Sequence, residues 1–448
     1  MQEPAATNST AAQDGSGSPP RPIIIAVVGE RTRNVDPDEY KPHHVAIGPY
    51  HRVNDPDLAR DDEKKRSLRT VLAAASPNVT VKVYLEELEK LRDEATRCYE
   101  YQEFEGISSN DFVRMLMLDA CYLLAFFGDI DKYVDGRPKN NESTVVSNGH
   151  EGGGYHSGNA DKVMDIAAVR DVFFLAENQV PFFIIDRIYR LSNLEGSISA
   201  TDALSTYVRK LLRKGMYSVA TPNVHLQQDP GNLLHLLHMH LQPTEPRNAT
   251  TSNPVGRWRT ATDYYFSAGV SFKNRPLGTD GCQCILDVRL VDGGSTLEIP
   301  CLNIDDNTWR ILRNLVALEQ HNSGATGTNF TAYCVFMSQL ACNESDVKLL
   351  SRRGVISHCC GNHVEVAKFF TDLCKGILFN PDDDKGNYLK ATFQALEKRC
   401  HSRHQRWMAW LRQKYFKNPW LTVGLAAAAI GLACAVVQAV YSVLSYKH

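Results

Sequence analysis

Apolar and polar positions divide the chain into helical stretches, one hairpin and a long uncharged end. Tyr84 to Tyr101 carries Leu85, Leu88, Leu91, Ala95 and Cys98 at helical spacing, which predicts an amphipathic helix. Phe112 to Phe127 is apolar on nearly every side, with Arg114 and Asp119 as the exceptions, and predicts a helix buried in a core. Asp171 to Leu191 is strongly apolar around Glu177-Asn178-Gln179. Pro181 lacks a backbone donor and disfavours a helical residue before it, so a break is expected there, with the polar trio satisfying the freed backbone groups.

Farther along, Leu286, Val288 and Leu290 alternate with Asp287 and Arg289. Asp292-Gly293-Gly294 follows, and Thr296 to Leu302 alternates again, which predicts a β-hairpin. Asp305-Asp306-Asn307 offers capping side chains ahead of a helix over Trp309 to Gln320. Helices are expected at Thr331 to Ala341, Asp346 to Arg353 and His363 to Leu373, with Gly354 as a C-terminal cap of the second. A basic helix from Tyr388 to Phe416 completes the series. The expected fold class is mainly α with a small β-hairpin element (α+β), a globular helical domain plus one C-terminal transmembrane helix.

The transmembrane expectation rests on Leu421 to Leu444. This stretch has no charge, and Gln438 is its one strongly polar side chain. As a helix it would rise ~36 Å, against a hydrocarbon core ~30 Å thick. Its Leu, Ile and Val residues favour insertion by roughly 3–6 kcal/mol together. Trp420 and Tyr441 stand where interfacial aromatics belong, and Asn418-Pro419 gives a helix start. Arg403, Arg406, Arg412, Lys414 and Lys417 form a basic collar within a juxtamembrane helix over 398–419. The positive-inside rule then places the N-terminal domain in the cytosol, with the lipid bilayer as a partner. So short a remainder after Leu444 would require insertion after synthesis, as in a tail-anchored protein. Ala427, Gly431, Ala435 and Ala439 repeat at four-residue spacing, a face that would permit a homodimer.

The domain plan is a disordered tail over 1–22, a globular domain over 40–397 and the C-terminal elements. Within the domain, 135–161 is Gly, Asn and Ser rich and reads as a mobile loop, and 242–254 reads as a linker. The net charge of -2 gives no global basic surface, so nucleic acid is not an expected partner. The 12 cysteines include no C-x-x-C pair, and Cys282/Cys284 and Cys359/Cys360 are the close ones. With no secretion signal at the N-terminus they read as reduced, mostly buried thiols.

No Gly-rich phosphate loop, nucleophile elbow or H-E-x-x-H motif occurs. His235, His238 and His240 cluster on a helical segment, and the first two could share a face toward metal. Without a Cys, Asp or Glu at ligand spacing, a partly exposed helical histidine set is the better reading. Cys282 and Cys284 are expected on one side of a strand, in packing. Glu86/Glu87 and Asp382 to Asp384 read as solvated surface. No catalytic residue, cofactor or metal site is therefore assigned.

Tyr40-Lys41-Pro42-His43-His44-Val45-Ala46-Ile47-Gly48-Pro49-Tyr50-His51 resembles the opening signature of the plant Domain of Unknown Function 247 family. The likeness continues through Arg97-Cys98-Tyr99, Leu118-Asp119, Glu177-Asn178-Gln179-Val180-Pro181-Phe182-Phe183, Asn314-Leu315-Val316-Ala317 and Gly354-Val355-Ile356. It ends at Asn418-Pro419-Trp420 with Gln438. Ala120, Ala176, Asn232 and His235 depart from the family's usual residues. The resemblance implies a plant source, membrane association, often at the plasma membrane, and no established enzymatic activity. Some grass members are linked to pollen self-incompatibility, so it also admits a role in cell recognition. The function expected from these readings is a membrane-anchored, non-enzymatic interaction or signalling module with an unknown protein partner. A cryptic enzyme built around the histidines or Glu177 is the competing reading.

Overall fold

The computed structural model of the chain describes residues 22–53, 55–101, 104, 106–134, 167–192, 199–220, 229–244, 253–256, 259–402 and 419–446. The expected tail (1–22) lies outside these residues except for Pro22, and the 135–161 loop lies outside them altogether. So does most of the 242–254 linker. Arg403, Arg406, Arg412, Lys414 and Lys417 fall outside them too.

The N-terminal half is a helical layer built round one apolar rod. Helix α1 spans Asp61–Ala74, α2 Val81–Arg97 and α3 Ser109–Val134. Thr80 caps α2 by accepting from Val83 N, and the helix buries Tyr84, Leu88 and Ala95. Helix α3 is the expected core helix: Leu116, Ala120, Cys121 and Leu123 are fully buried. Each such leucine removed from water contributes about 1.5–3 kcal/mol. It packs against α1, α2, α4 (Phe182–Leu191) and α5 (Ala200–Lys214). The break before Phe182 occurs as expected, with Pro181 at the N-cap of α4.

The C-terminal half gathers round α8, Thr308–Thr326, which touches α6 (Leu233–Met239), α9 (Asn329–Leu340) and α11 (His363–Leu373). Helices α7 (Ala261–Ala268), α10 (Glu344–Arg352) and α12 (Lys390–His401) surround them. Gly354, at φ +71°, adopts the left-handed conformation after α10, as expected of a C-terminal cap. The core is continuous through both halves.

The hairpin forms, but shorter than its alternation predicted. β2 (Arg289–Val291) runs antiparallel to β3 (Thr296–Ile299), with Leu290 opposite Leu297. Residues 285–288 instead bury Ile285 and Leu286 in turns, so Cys282 and Cys284 do not alternate along a strand. β1 (Ser271–Asn274) adds to β3 in parallel, and β4 (Leu302–Ile304) pairs in parallel with the distant β5 (Ile356–His358).

The membrane expectation is corrected. Among the described residues, no helix is long and apolar enough to cross a membrane. A helix does form at the end of the chain: α13, Pro419–Tyr446. Alanine fills seven of its positions, and alanine adds almost nothing to insertion. The transmembrane, single-pass and tail-anchored assignments over Leu421 to Leu444 fall with that finding, as does the plasma-membrane placement. The side chains of Trp420, Leu421 and Leu444 lie outside the description, while Ala427, Gly431, Ala435, Gln438, Ala439 and Tyr441 are exposed.

Candidate functional site

Residues 43–48 cross the domain interior with no strand beside them. Buried N–H and C=O groups must nevertheless be paired. Side chains from three other elements supply the partners. Asp171 accepts from the N–H groups of His43 (3.0 Å), His44 (2.5 Å) and Val45 (2.9 Å). Asn178 accepts from Ile47 N–H (2.7 Å) and donates to the Val45 and Asp171 carbonyls, both at 3.0 Å. Asp119, from α3, accepts from Gly48 N–H at 2.8 Å. Lys64, from α1, donates to the Ala46 carbonyl at 2.6 Å. Lys64 and Asp119 also form an ion pair at 2.5 Å, both fully buried. Gly48 sits at φ +73°, and a Cβ there would stand 2.4 Å from the Gln179 carbonyl oxygen, so no other residue fits.

The rest of the polar trio ties neighbouring elements to this junction. The Gln179 amide nitrogen donates to the Val172 and Leu175 carbonyls, and its oxygen accepts from Leu233 and Leu234 N–H, capping α6. Asn314 of α8 accepts from Ala176 N–H (2.9 Å) and donates to the Glu39 carbonyl (2.8 Å). Glu177 is at the rim. It accepts from Val28 N–H (2.5 Å) and pairs with Arg33 and, at 3.3 Å, with His51 Nε2. Burial pushes the Asp171 carboxyl above its usual range, against the opposite pull of the three backbone donors. Burial likewise raises Glu39, outweighing the attraction of Arg310, and takes Tyr50 up to about 12.

The departures from the family pattern serve the same structure. Asn232 caps α6, accepting from His235 N–H at 2.8 Å, and Ala120 is fully buried in α3. The histidines correct the expectation of a partly exposed set, for His235 and His238 are buried. His238 Nε2 lies 2.8 Å from Glu319 Oε1, and Glu319 also accepts from Phe330 and Thr331 N–H, capping α9. His235 Nδ1 accepts from Gly231 N–H at 3.0 Å. Burial depresses His235 to about 4, and burial with the nearby Arg209 does the same to His240. Both rings of the 235/238 pair are thus engaged within the fold. Among the described residues, no three His, Cys, Asp or Glu groups are arranged to hold a metal ion.

The open surface lies elsewhere, along α2. One cleft, of about 720 Å³, is lined by Leu85, Glu86, Glu89 and Lys90 of α2 and by Asn110, Val113 and Arg114 of α3. A second, of about 310 Å³, lies on the other side of the same helix, between Glu87, Lys90, Leu91 and Glu94 and the α4 residues Phe183, Asp186, Arg187 and Arg190. Glu87 pairs with Lys90 and Arg187, whose hydrogen bonds hold its carboxyl below the usual range. Neither cleft touches Glu177, His235 or His238. Sequence reading took Glu86 and Glu87 as plain solvated surface. The matching bases of α4 are about a hundred positions away and gave no signal.

Known proteins give this geometry a family. No solved structure matches the chain. The UPF0481 protein At3g47200 of Arabidopsis thaliana is 25% identical over 437 residues, covering 92% of this chain and 85% of its own length. The putative UPF0481 protein At3g02645 of the same plant is 20% identical over 486 residues, covering 88% and 85%. The model of the DUF247 family, described as a plant protein of unknown function, matches residues 25–434, which include nearly all of the polar junction. The chain therefore belongs to the plant DUF247 family.

Proposed function

We propose that the chain is a non-enzymatic module that binds another protein through the charged face of α2. The observation that carries this reading is the disposition of its polar side chains. Those with chemical potential, Asp119, Asp171, Glu177, Asn178, Gln179 and Glu319, hold backbone groups inside the fold. The open clefts present alternating acids and bases on two sides of one helix. Such a surface suits a partner segment bearing both signs of charge. Charge complementarity there governs specificity and association rate more than affinity.

Photo-crosslinking tests it. A crosslinkable residue at Glu89, in the full chain expressed in plant cells, should capture a defined protein. The same residue at Lys348 on α10 should not capture that protein. Lys90→Glu should abolish the capture. Equal capture from both positions, or capture unchanged by Lys90→Glu, would refute the docking face.

A further inference from the structure

We propose that residues 23–28 occupy a peptide-binding groove of the chain's own fold, and that the groove takes an extended apolar segment of another protein when this strap swings out. The strap, Ile23-Ile24-Ile25-Ala26-Val27-Val28, carries only apolar side chains, so its hydrogen bonds are all made by the main chain. The Asn322 amide of α8 reads both groups of Ile24, accepting from the N–H at 2.7 Å and donating to the carbonyl at 3.0 Å. Ile25 forms a one-residue parallel bridge with Tyr99, just beyond the end of α2. Its N–H donates to the Cys98 carbonyl (2.7 Å), and its own carbonyl accepts from Glu100 N–H (3.2 Å) and the Tyr50 hydroxyl (2.9 Å). The carboxylates of Glu100 and Glu177 accept from Val27 and Val28 N–H at 2.9 and 2.5 Å. Ile23, Ile25 and Val28 are buried. Gly231 floors the first pocket, where a Cβ would stand 2.3 Å from that of Ile23. Helix α8 leaves helical backbone at Asn322 (φ -123°, ψ 24°), the residue that reads the strap.

Main-chain hydrogen bonds for affinity, with pockets for alternating side chains for specificity, are how an exposed edge captures a strand from another chain. The 43–48 segment is also held by side chains, but it is enclosed. The strap lies at the rim, where Glu100 is exposed. Gly29 is exposed at its end, and a Cβ there would meet nothing within 4 Å, so the chain has room to pivot. The ligand so defined is extended, bears branched apolar residues in place of Ile23, Ile25 and Val28, and has no proline where the groove takes an N–H. A tethered strap competes at an effective concentration on the order of millimolar, so it holds the groove closed to weak ligands. None of these residues lines the α2 clefts, so the site is separate from the docking face.

A fluorescein-labelled peptide with the sequence of residues 20–30, added to the full-length chain and followed by fluorescence polarisation, tests the groove. Ile25→Asp puts a carboxylate on the strap and leaves the groove's own residues intact. It should bind the peptide at least about tenfold more tightly than the wild type does. The peptide N-methylated at the position of Ile25 loses the bond to the Cys98 carbonyl and should bind that variant about tenfold more weakly. Circular dichroism checks folding, and Ile23→Asp, at the outer end of the strap, replaces Ile25→Asp if the latter unfolds. Equal binding by the wild type and a folded strap variant, absence of binding included, overturns the groove. Unchanged binding of the N-methylated peptide overturns its reading of the main chain. Loss of the fold in both strap variants makes residues 23–28 an inseparable part of the core and overturns the proposal as well.

Discussion

Lys64→Met places the demand on the buried ion pair most directly. Lys64 and Asp119 have no exposed surface, lie 2.5 Å apart, and together hold the Ala46 carbonyl and the Gly48 N–H. Methionine has nearly the same length, so the packing volume changes little. What remains is a carboxylate in the core with one backbone donor. Removing one partner of a buried pair leaves an uncompensated charge and costs about 3–5 kcal/mol. The freed Ala46 carbonyl adds about 1 kcal/mol. Asp119→Leu should cost a similar amount, because it strands the ammonium group and the Gly48 N–H. The double variant removes both charges, and its cost should be well below the sum of the two, with a coupling of about 2–3 kcal/mol. Urea unfolding of the four full-length chains, followed by circular dichroism, measures the cycle. A loss under 1 kcal/mol for Lys64→Met, or additive single losses, would refute the reasoning.

Gly48→Ala should destabilise by more than the ~1–2 kcal/mol of its left-handed φ, since its Cβ collides with the rigid Gln179 carbonyl; the same urea assay checks it. Asp171→Asn should cost about 2–4 kcal/mol, because the amide removes the charge that the three N–H groups share at Oδ2 and turns an NH2 donor where Oδ1 faces His43 N–H and Arg310, and a loss under 1 kcal/mol would count against that junction. His235 is held at about 4 in the folded chain against 6.5 ordinarily. Its depressed value gives stability that is intact above pH 6.5 and lost as pH falls from 6.5 toward 4, by up to about 3 kcal/mol. His235→Asn should flatten that fall in a pH series of unfolding curves. Burial pushes Cys98 to about 11 and Cys121 and Cys374 to about 12, so iodoacetamide should label exposed Cys359 in the native chain and reach Cys121 only on unfolding. Early labelling of Cys121 would contradict its burial.

Local periodicity was enough for the helices, because each carries its apolar face in its own sequence. Leu88 and Ala95 in α2, and Leu116 with Leu123 in α3, are buried where their spacing placed them. Pro181 likewise announced its break, and the polar trio beside it satisfies backbone groups, as their proximity implied. The motifs from Tyr40 onward were enough for the family. What the sequence could not determine was any pairing between distant positions. β4 meets β5 across some fifty residues, Asp171 cradles His43 to Val45 from far along the chain, and Lys90 shares its cleft with Arg187 of another helix. The uncharged end at Leu421 to Leu444 read as a membrane span on the absence of charge. Among the described residues, no helix has both the length and the hydropathy that crossing requires. Side-chain periodicity is a property of neighbours, whereas a partner for a buried charge or backbone group is chosen only when the chain closes on itself.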